Sequence, residues 1–230
     1  MKKKKRIIIL SAVVSVVLVL IISYGVLAYL IHKDEVVNTI TVGKVSIALY
    51  EDKYPGNTNS EVNNMLPYTE IDKNPKVENT GTTSAYVFLK VSVPVEEITE
   101  VSADGTKGDK KAQEIFYLKT DKTLQTTLIN SFYTDNWIEL NDEESGTDYK
   151  AGTVRTYIFG YKKALSVGEQ TDVLFDKVQL KNFIENEILS GSDLHIDIQA
   201  LGIQSEYLGK DFPTENLTDA QLTEIYQCLK

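Results

Sequence analysis

From Ala85 to Val93 every second residue is aliphatic: Ala85, Val87, Leu89, Val91 and Val93 fall on one side of an extended chain. A period of two gathers such residues on one face of a β-strand and scatters them around a helix, so the stretch reads as a half-buried strand. The opposite face runs from Tyr86 and Phe88 to Lys90 and Ser92, which predicts a partly wet surface. Pro94 has no N–H to give a neighbour and is expected to end the ladder.

The same period recurs in shorter pieces. Ile40 and Val42 share a face, and Val45, Ile47 and Leu49 continue on the shifted phase. Gly43 at the slip predicts a bulge or bend. Further strands are expected at residues 115–118, 137–140, 154–161, 171–175 and 194–200. In the last, Leu194, Ile196, Ile198 and Ala200 oppose His195, Asp197 and Gln199. Residues 51–66 and 102–112 are rich in turn formers and are expected to be loops. Two helices are expected. One covers residues 177–189, where Phe183, Ile184 and Ile188 can share a side. The other is C-terminal: Thr218 and Gln221 have capping-box spacing, and Leu222, Ile225, Tyr226 and Leu229 line one face. Many short strands between Gly, Asn and Asp turns indicate an all-β, antiparallel sandwich and not a βαβ fold.

At the N-terminus Lys2, Lys3, Lys4, Lys5 and Arg6 precede an apolar run of 22 residues, 7–28, interrupted only by serines. A basic start before an apolar segment is the layout of a secretory signal, with the charges held in the cytoplasm. The run is also long enough to span a bilayer as a helix, which takes about 20 residues. Val26 and Ala28 meet the small-residue requirement of a cleavage site, just after the helix-weakening Gly25, so the expected cut lies between Ala28 and Tyr29. The alternative is an uncleaved single-pass anchor. The chain therefore divides into a signal or anchor (1–28), a β-sandwich domain (29–204) and a C-terminal helical extension (205–230).

Cleavage would remove five positive charges and no negative one, moving the net charge from −9 to −14. Such a protein is repelled by nucleic acid and by anionic bilayer surfaces, so no nucleic-acid partner is expected and membrane contact is confined to residues 7–28 before cleavage. Cys228 is the only cysteine, which leaves no internal disulfide. Stability then rests on packing, and about 200 residues are enough for one core.

Chemical motifs are scarce. His32 and His195 are the only histidines and neither belongs to a His-Glu-x-x-His pair, so no helix presents paired zinc ligands beside a base. His195 reads as a surface residue and Cys228 as a small, partly buried hydrophobe. Phosphate-binding glycine loops are missing from the sequence. Asp142, Glu144 and Asp148, in the acidic loop 141–148, could offer oxygens to calcium, but without the ligand order of an EF-hand a solvated loop is preferred. No cofactor and no catalytic residue is expected.

The seam after the apolar run carries a resemblance. "GVLAYLIHKDEVVNTITVGKV" resembles the exported TasA/camelysin-type family, mainly of Gram-positive bacteria, whose members carry a SipW-type signal. The matching positions are Gly25, Ala28, Tyr29, the charged Lys33, Asp34 and Glu35, then Asn38, Ile40, Thr41, Val42 and Gly43. "PKVENTGTTSAYVFLKVSV", "VGEQTDVLFDKV" and "IDIQALGIQ" follow in the family's order, up to Gln204. Leu30 departs from it where a second aromatic is frequent, and residues 205–230 extend beyond the smaller members and look more like exported proteins of clostridia. The resemblance implies a jelly-roll-like sandwich, a dedicated signal peptidase, and a place in an extracellular matrix, biofilm or cell surface. It also implies assembly with itself or a related subunit through a donated strand, here Tyr29, Leu30, Ile31, Val36 and Val37. Camelysin adds a metallopeptidase alternative, which the missing zinc motif disfavours. A membrane-anchored surface domain that binds a partner is the other alternative.

Overall fold

The computed structural model describes residues 40–41, 43–56, 65–123, 130–140, 149–184, 187–188, 194–206 and 208–229. The chain is mostly β, with antiparallel sheets and one short helix among these residues. In order the strands are β1 (Ile40–Thr41), β2 (Gly43–Lys44), β3 (Ile47–Tyr50), β4 (Glu70–Asp72), β5 (Lys76–Asn79) and β6 (Ala85–Val101). They continue with β7 (Lys107–Glu114), β8 (Phe116–Lys119), β9 (Trp137–Leu140), β10 (Thr153–Tyr161), β11 (Lys177–Leu180) and β12 (Asp197–Gln204), before helix α1 (Asp219–Gln227). Among the described residues no helix is long and apolar enough to cross a membrane. The apolar run 7–28 lies outside them.

One sheet has the order β12-β6-β10-β9, with β7 also on β6; a second has the order β4-β11-β8; β3 pairs with β5. The aliphatic face of β6 is the centre of the core. Val91 stands opposite Tyr157 and Leu89 opposite Phe159, so alternation on one strand meets aromatic alternation on its neighbour. Ile71, Leu118 and Val178 from the second sheet and Ile47 and Val77 from the β3–β5 pair join the same core. Trp137, fully buried, packs on Tyr161 at 4.9 Å and donates its indole N–H to the Asp172 carbonyl.

Pro94 does not end the ladder. β6 runs on to Val101, and Pro94 lies where β12, whose last pairing is at Ser92, gives way to β7, whose first is at Val95. The Pro94 carbonyl accepts from Ile115 N–H at 3.1 Å. A residue's N–H and C=O leave a strand on the same side, so the missing N–H falls in the gap between two partners, where the ladder loses nothing.

Helix α1 covers the aromatic half of the face expected to be partly wet, while Lys90 and Ser92 stay half-exposed. Tyr86 and Phe88 are fully buried under Leu222, Ile225 and Tyr226, together with Leu140, Ile158 and Ile203. The Phe88 and Tyr226 rings lie 5.3 Å apart. Gly160 permits this approach: a Cβ there would lie 3.1 Å from both Leu222 methyls and 3.2 Å from Phe88. The helix starts as expected, with Thr218 as N-cap and a reciprocal capping box with Gln221.

Other expectations are corrected. Lys107–Ala112 are not loop but the first part of β7, an exposed edge strand on β6; only residues 102–106 form the turn. Lys177–Leu180 form no helix; they are the central strand of the second sheet, where Val178 and Leu180 alternate into the core and β4 and β8 claim both sides. Phe183 beyond it forms a bridge with Glu100. Residues 171–175 run beside β5 without forming a strand, because the Thr171 side chain takes the Val77 N–H that a ladder would use. The last strand begins at Asp197, three residues after its expected start. At Gly43 the bend is a reversal, with Ile40 opposite Lys44 and Thr41 opposite Gly43.

Candidate assembly edges and buried polar clusters

The residues expected to direct processing and donation, Val26, Ala28, Tyr29, Leu30, Ile31, Val36 and Val37, lie outside the described residues, as do Asp142, Glu144 and Asp148 of the acidic loop. His195 is exposed and its Nε2 sits 3.3 Å from Asp197 Oδ2, a surface pair. Cys228 is the C-cap of α1 and is exposed, contrary to the expectation of partial burial. Among the described residues no cluster of His, Cys, Asp or Glu is arranged to hold a metal ion.

Strand edges are the places where another chain can add main-chain hydrogen bonds. β8 pairs with β11 on one side. On the other, Ser131 N–H donates to the Leu118 carbonyl and the Asn130 side chain accepts from Leu118 N–H, which covers that edge. β7 carries Lys107, Lys110 and Lys111, all exposed, and edge lysines resist pairing by another strand. β9 is four residues long. β12 differs: among the described strands it pairs only with β6, over all eight of its residues, and it contains no lysine. Its even-numbered residues Ile198 and Ala200 pack on the main core, while Leu201 and Ile203 pack beneath α1. It is thus a long strand, well supported on both faces, at the margin of the larger sheet.

Two polar clusters are buried near the margins of the sheets. In the first, Tyr157 donates to Glu114, and Asn130 Nδ2 donates to Glu114 at 3.2 Å. The Arg155 guanidinium lies over the Tyr157 ring at 4.8 Å. Burial, reinforced by the Glu114 charge, raises the Tyr157 phenol well above its ordinary value. The cluster continues through Gln113 to Lys181, Glu100 and Tyr117, where burial and the hydrogen bond to Glu100 raise the Tyr117 phenol likewise. In the second cluster Tyr133 donates to Asp176 at 2.5 Å, and Asp121 N–H donates to the same oxygen at 2.8 Å. Burial and that bond push the Tyr133 phenol up to about 12. Such tyrosines stay neutral donors, Tyr157 and Tyr133 closing off the buried Glu114 and Asp176 and Tyr117 the half-buried Glu100.

A polar, open cleft of 930 Å³ lies where the segment before α1 passes residues 163–169, with Ser84, Lys163, Ser205, Lys210 and Phe212 among its lining. Lys163 is taken up by Glu169 and Lys210 by Glu224, so its cations are already paired. Sequence patterning points to none of these clusters: Gln113 and Lys181 stand in polar-looking stretches, and only the pairing of β7 and the course of the chain after β11 bring them inside.

Comparison with protein-family models, with curated proteins and with solved structures finds no match to this chain.

Proposed function

We propose that this is an exported, non-enzymatic structural protein of a cell surface or extracellular matrix such as a biofilm, released by a dedicated signal peptidase. The observation that carries the proposal is the seam at Gly25–Ile47, where a basic, apolar signal ends at Val26–Ala28 and leads directly into strand-forming sequence. The antiparallel sheets support a jelly-roll-like winding, in which strands alternate between two facing layers. Before cleavage Tyr29, Leu30 and Ile31 are held at the bilayer; after it they form an apolar N-terminus that favours burial. Donation of residues 29–37 to an open edge of a second subunit, itself or a related one, buries them through backbone pairing. The β12 edge is the acceptor that its length and freedom from lysine favour. Processing is then the assembly switch.

The test is at the seam. Ala28→Lys should leave the precursor in the membrane fraction of the producing cell, because the peptidase requires a small residue there. Release of that variant at the normal size would contradict the assignment. The 22-residue length of the apolar run favours a second reading, an uncleaved anchor presenting the sandwich as a binding domain. Intact mass separates the two, since the anchored form retains Met1–Ala28.

A further inference from the structure

Lys181 and Gln113, both buried, meet the half-buried Glu100 in a trio whose chemistry goes beyond salt bridging. Lys181 and Gln113 are each 7% exposed, and Lys181 Nζ lies 3.3 Å from Gln113 Oε1 and 3.6 Å from Glu100 Oε2. The Tyr117 ring closes over the amine at 4.3 Å. Tyr117 OH donates to Glu100 Oε1 at 2.5 Å, which occupies the carboxylate's other oxygen and fixes its orientation. The carboxamide is held from its far end, with Nε2 donating to the Ile98 carbonyl at 3.3 Å. A buried ammonium is ordinarily matched to a carboxylate at closer range; here the nearest oxygen belongs to an amide.

We propose that Lys181 and Gln113 are an intramolecular cross-linking site, closed by the chain itself into an isopeptide bond with Glu100 as proton carrier. Lys181 first gives a proton to Glu100, leaving a neutral amine nucleophile. Nζ then adds to Gln113 Cδ, the carbon bonded to the oxygen it already touches, and the carbonyl electrons move onto Oε1. Glu100 passes its proton to Nε2 and takes the second proton that Nζ must lose. Collapse of the intermediate expels Nε2 as ammonia, which leaves with that second proton as ammonium and restores the Glu100 carboxylate. One C–N bond forms, one breaks, and no oxidant or reductant is needed. Burial lowers the Lys181 pKa, against the pull of Glu100 and Glu114, which favours the neutral amine. The fixed geometry supplies the proximity that makes an amine–amide exchange accessible at neutral pH.

The position suits a cross-link. Gln113 is on β7, which belongs to the larger sheet through β6, and Lys181 directly follows β11 of the smaller one. The bond would clamp the two sheets in a chain whose only cysteine, Cys228, leaves no internal disulfide. A second pair is a useful contrast. Lys119 Nζ lies 3.2 Å from Gln179 Oε1, but its carboxylate, Glu70, is 4.0 Å away and also pairs with Lys177 at 3.6 Å. That carboxylate is shared between two amines and lies farther from Lys119 than Glu100 does from Lys181, which makes it the poorer proton carrier.

Peptide mapping of the folded full-length chain tests the proposal. Trypsin does not cut after an acylated lysine, so the expected product is residues 112–119 joined to residues 178–210, lighter than the two together by one ammonia. Lys181→Arg and Gln113→Ala should each yield the separate peptides, and Glu100→Gln should slow or abolish joining. If the unsubstituted chain gives free 112–119 and cleavage after Lys181 even after long incubation, the proposal is wrong, whatever the variants do. A branched peptide joining Lys119 to Gln179 instead would overturn the assignment of the site.

Discussion

Gly160 shows how far one missing methyl group governs the packing of this molecule. It stands opposite Phe88 on β6 and beneath Leu222 of α1, with space for a hydrogen and no more. Gly160→Ala is expected to destabilise by about 1–3 kcal/mol through overpacking, measured by denaturant unfolding. At the same scale the buried phenols set an alkaline limit. Tyr133 rises from an ordinary 10.0 to about 12 in the folded chain, and Tyr117 and Tyr157 rise further still. Above pH 10 the unfolded chain releases these protons while the folded chain keeps them. Their contribution to stability is therefore complete below pH 10 and falls away as the pH climbs through 12. Unfolding midpoints across that window should drop, and Tyr133→Phe should flatten part of the fall; a midpoint that rises with alkalinity would contradict this. None of these residues is marked in the sequence. A glycine in a strand pattern and a tyrosine among polar neighbours look ordinary until a distant element is laid over them.

At the scale of elements, α1 is the helix that local signals describe best and the one whose role they leave out. Its cap and its apolar stripe follow from Thr218, Gln221, Leu222, Ile225 and Tyr226, all legible from spacing. That the stripe lies on Tyr86 and Phe88 is not legible, because nothing local links residues 140 positions apart. Leu222→Ala should cost about 2–5 kcal/mol, the loss expected when a fully buried leucine leaves a cavity. Thr218→Ala should cost about 1 kcal/mol, since it removes only the cap. Equal losses would mean that the helix is not anchored through Leu222. The edge strand β7 and the central strand β11 escaped pattern reading for opposite reasons. β7 is too polar to look like a strand because both of its faces are exposed from Lys107 to Lys111. β11 is too short for its alternation of Val178 and Leu180 to outweigh the helical spacing of Phe183, Ile184 and Ile188 beyond it.

For the whole molecule the central question is whether the chain, cut after Ala28 as proposed, assembles through its new N-terminus. The alternation in β6, β10 and β12 made the antiparallel all-β class legible, whereas the seam and its donated strand stand on sequence alone. The proposed cut between Ala28 and Tyr29 would remove five positive charges and take the net charge from −9 to −14, which would keep monomers apart at low salt. Screening shortens that repulsion to about 8 Å near physiological ionic strength, so assembly by strand donation should strengthen as salt is added. The most direct measurement is electron microscopy of the mature chain beginning at Tyr29 and of the same chain lacking residues 29–37, each over a range of salt. The account predicts fibres that lengthen with salt from the first and a folded monomer at every salt concentration from the second. Fibres from the shortened chain, or a mature chain that stays monomeric throughout, would contradict it.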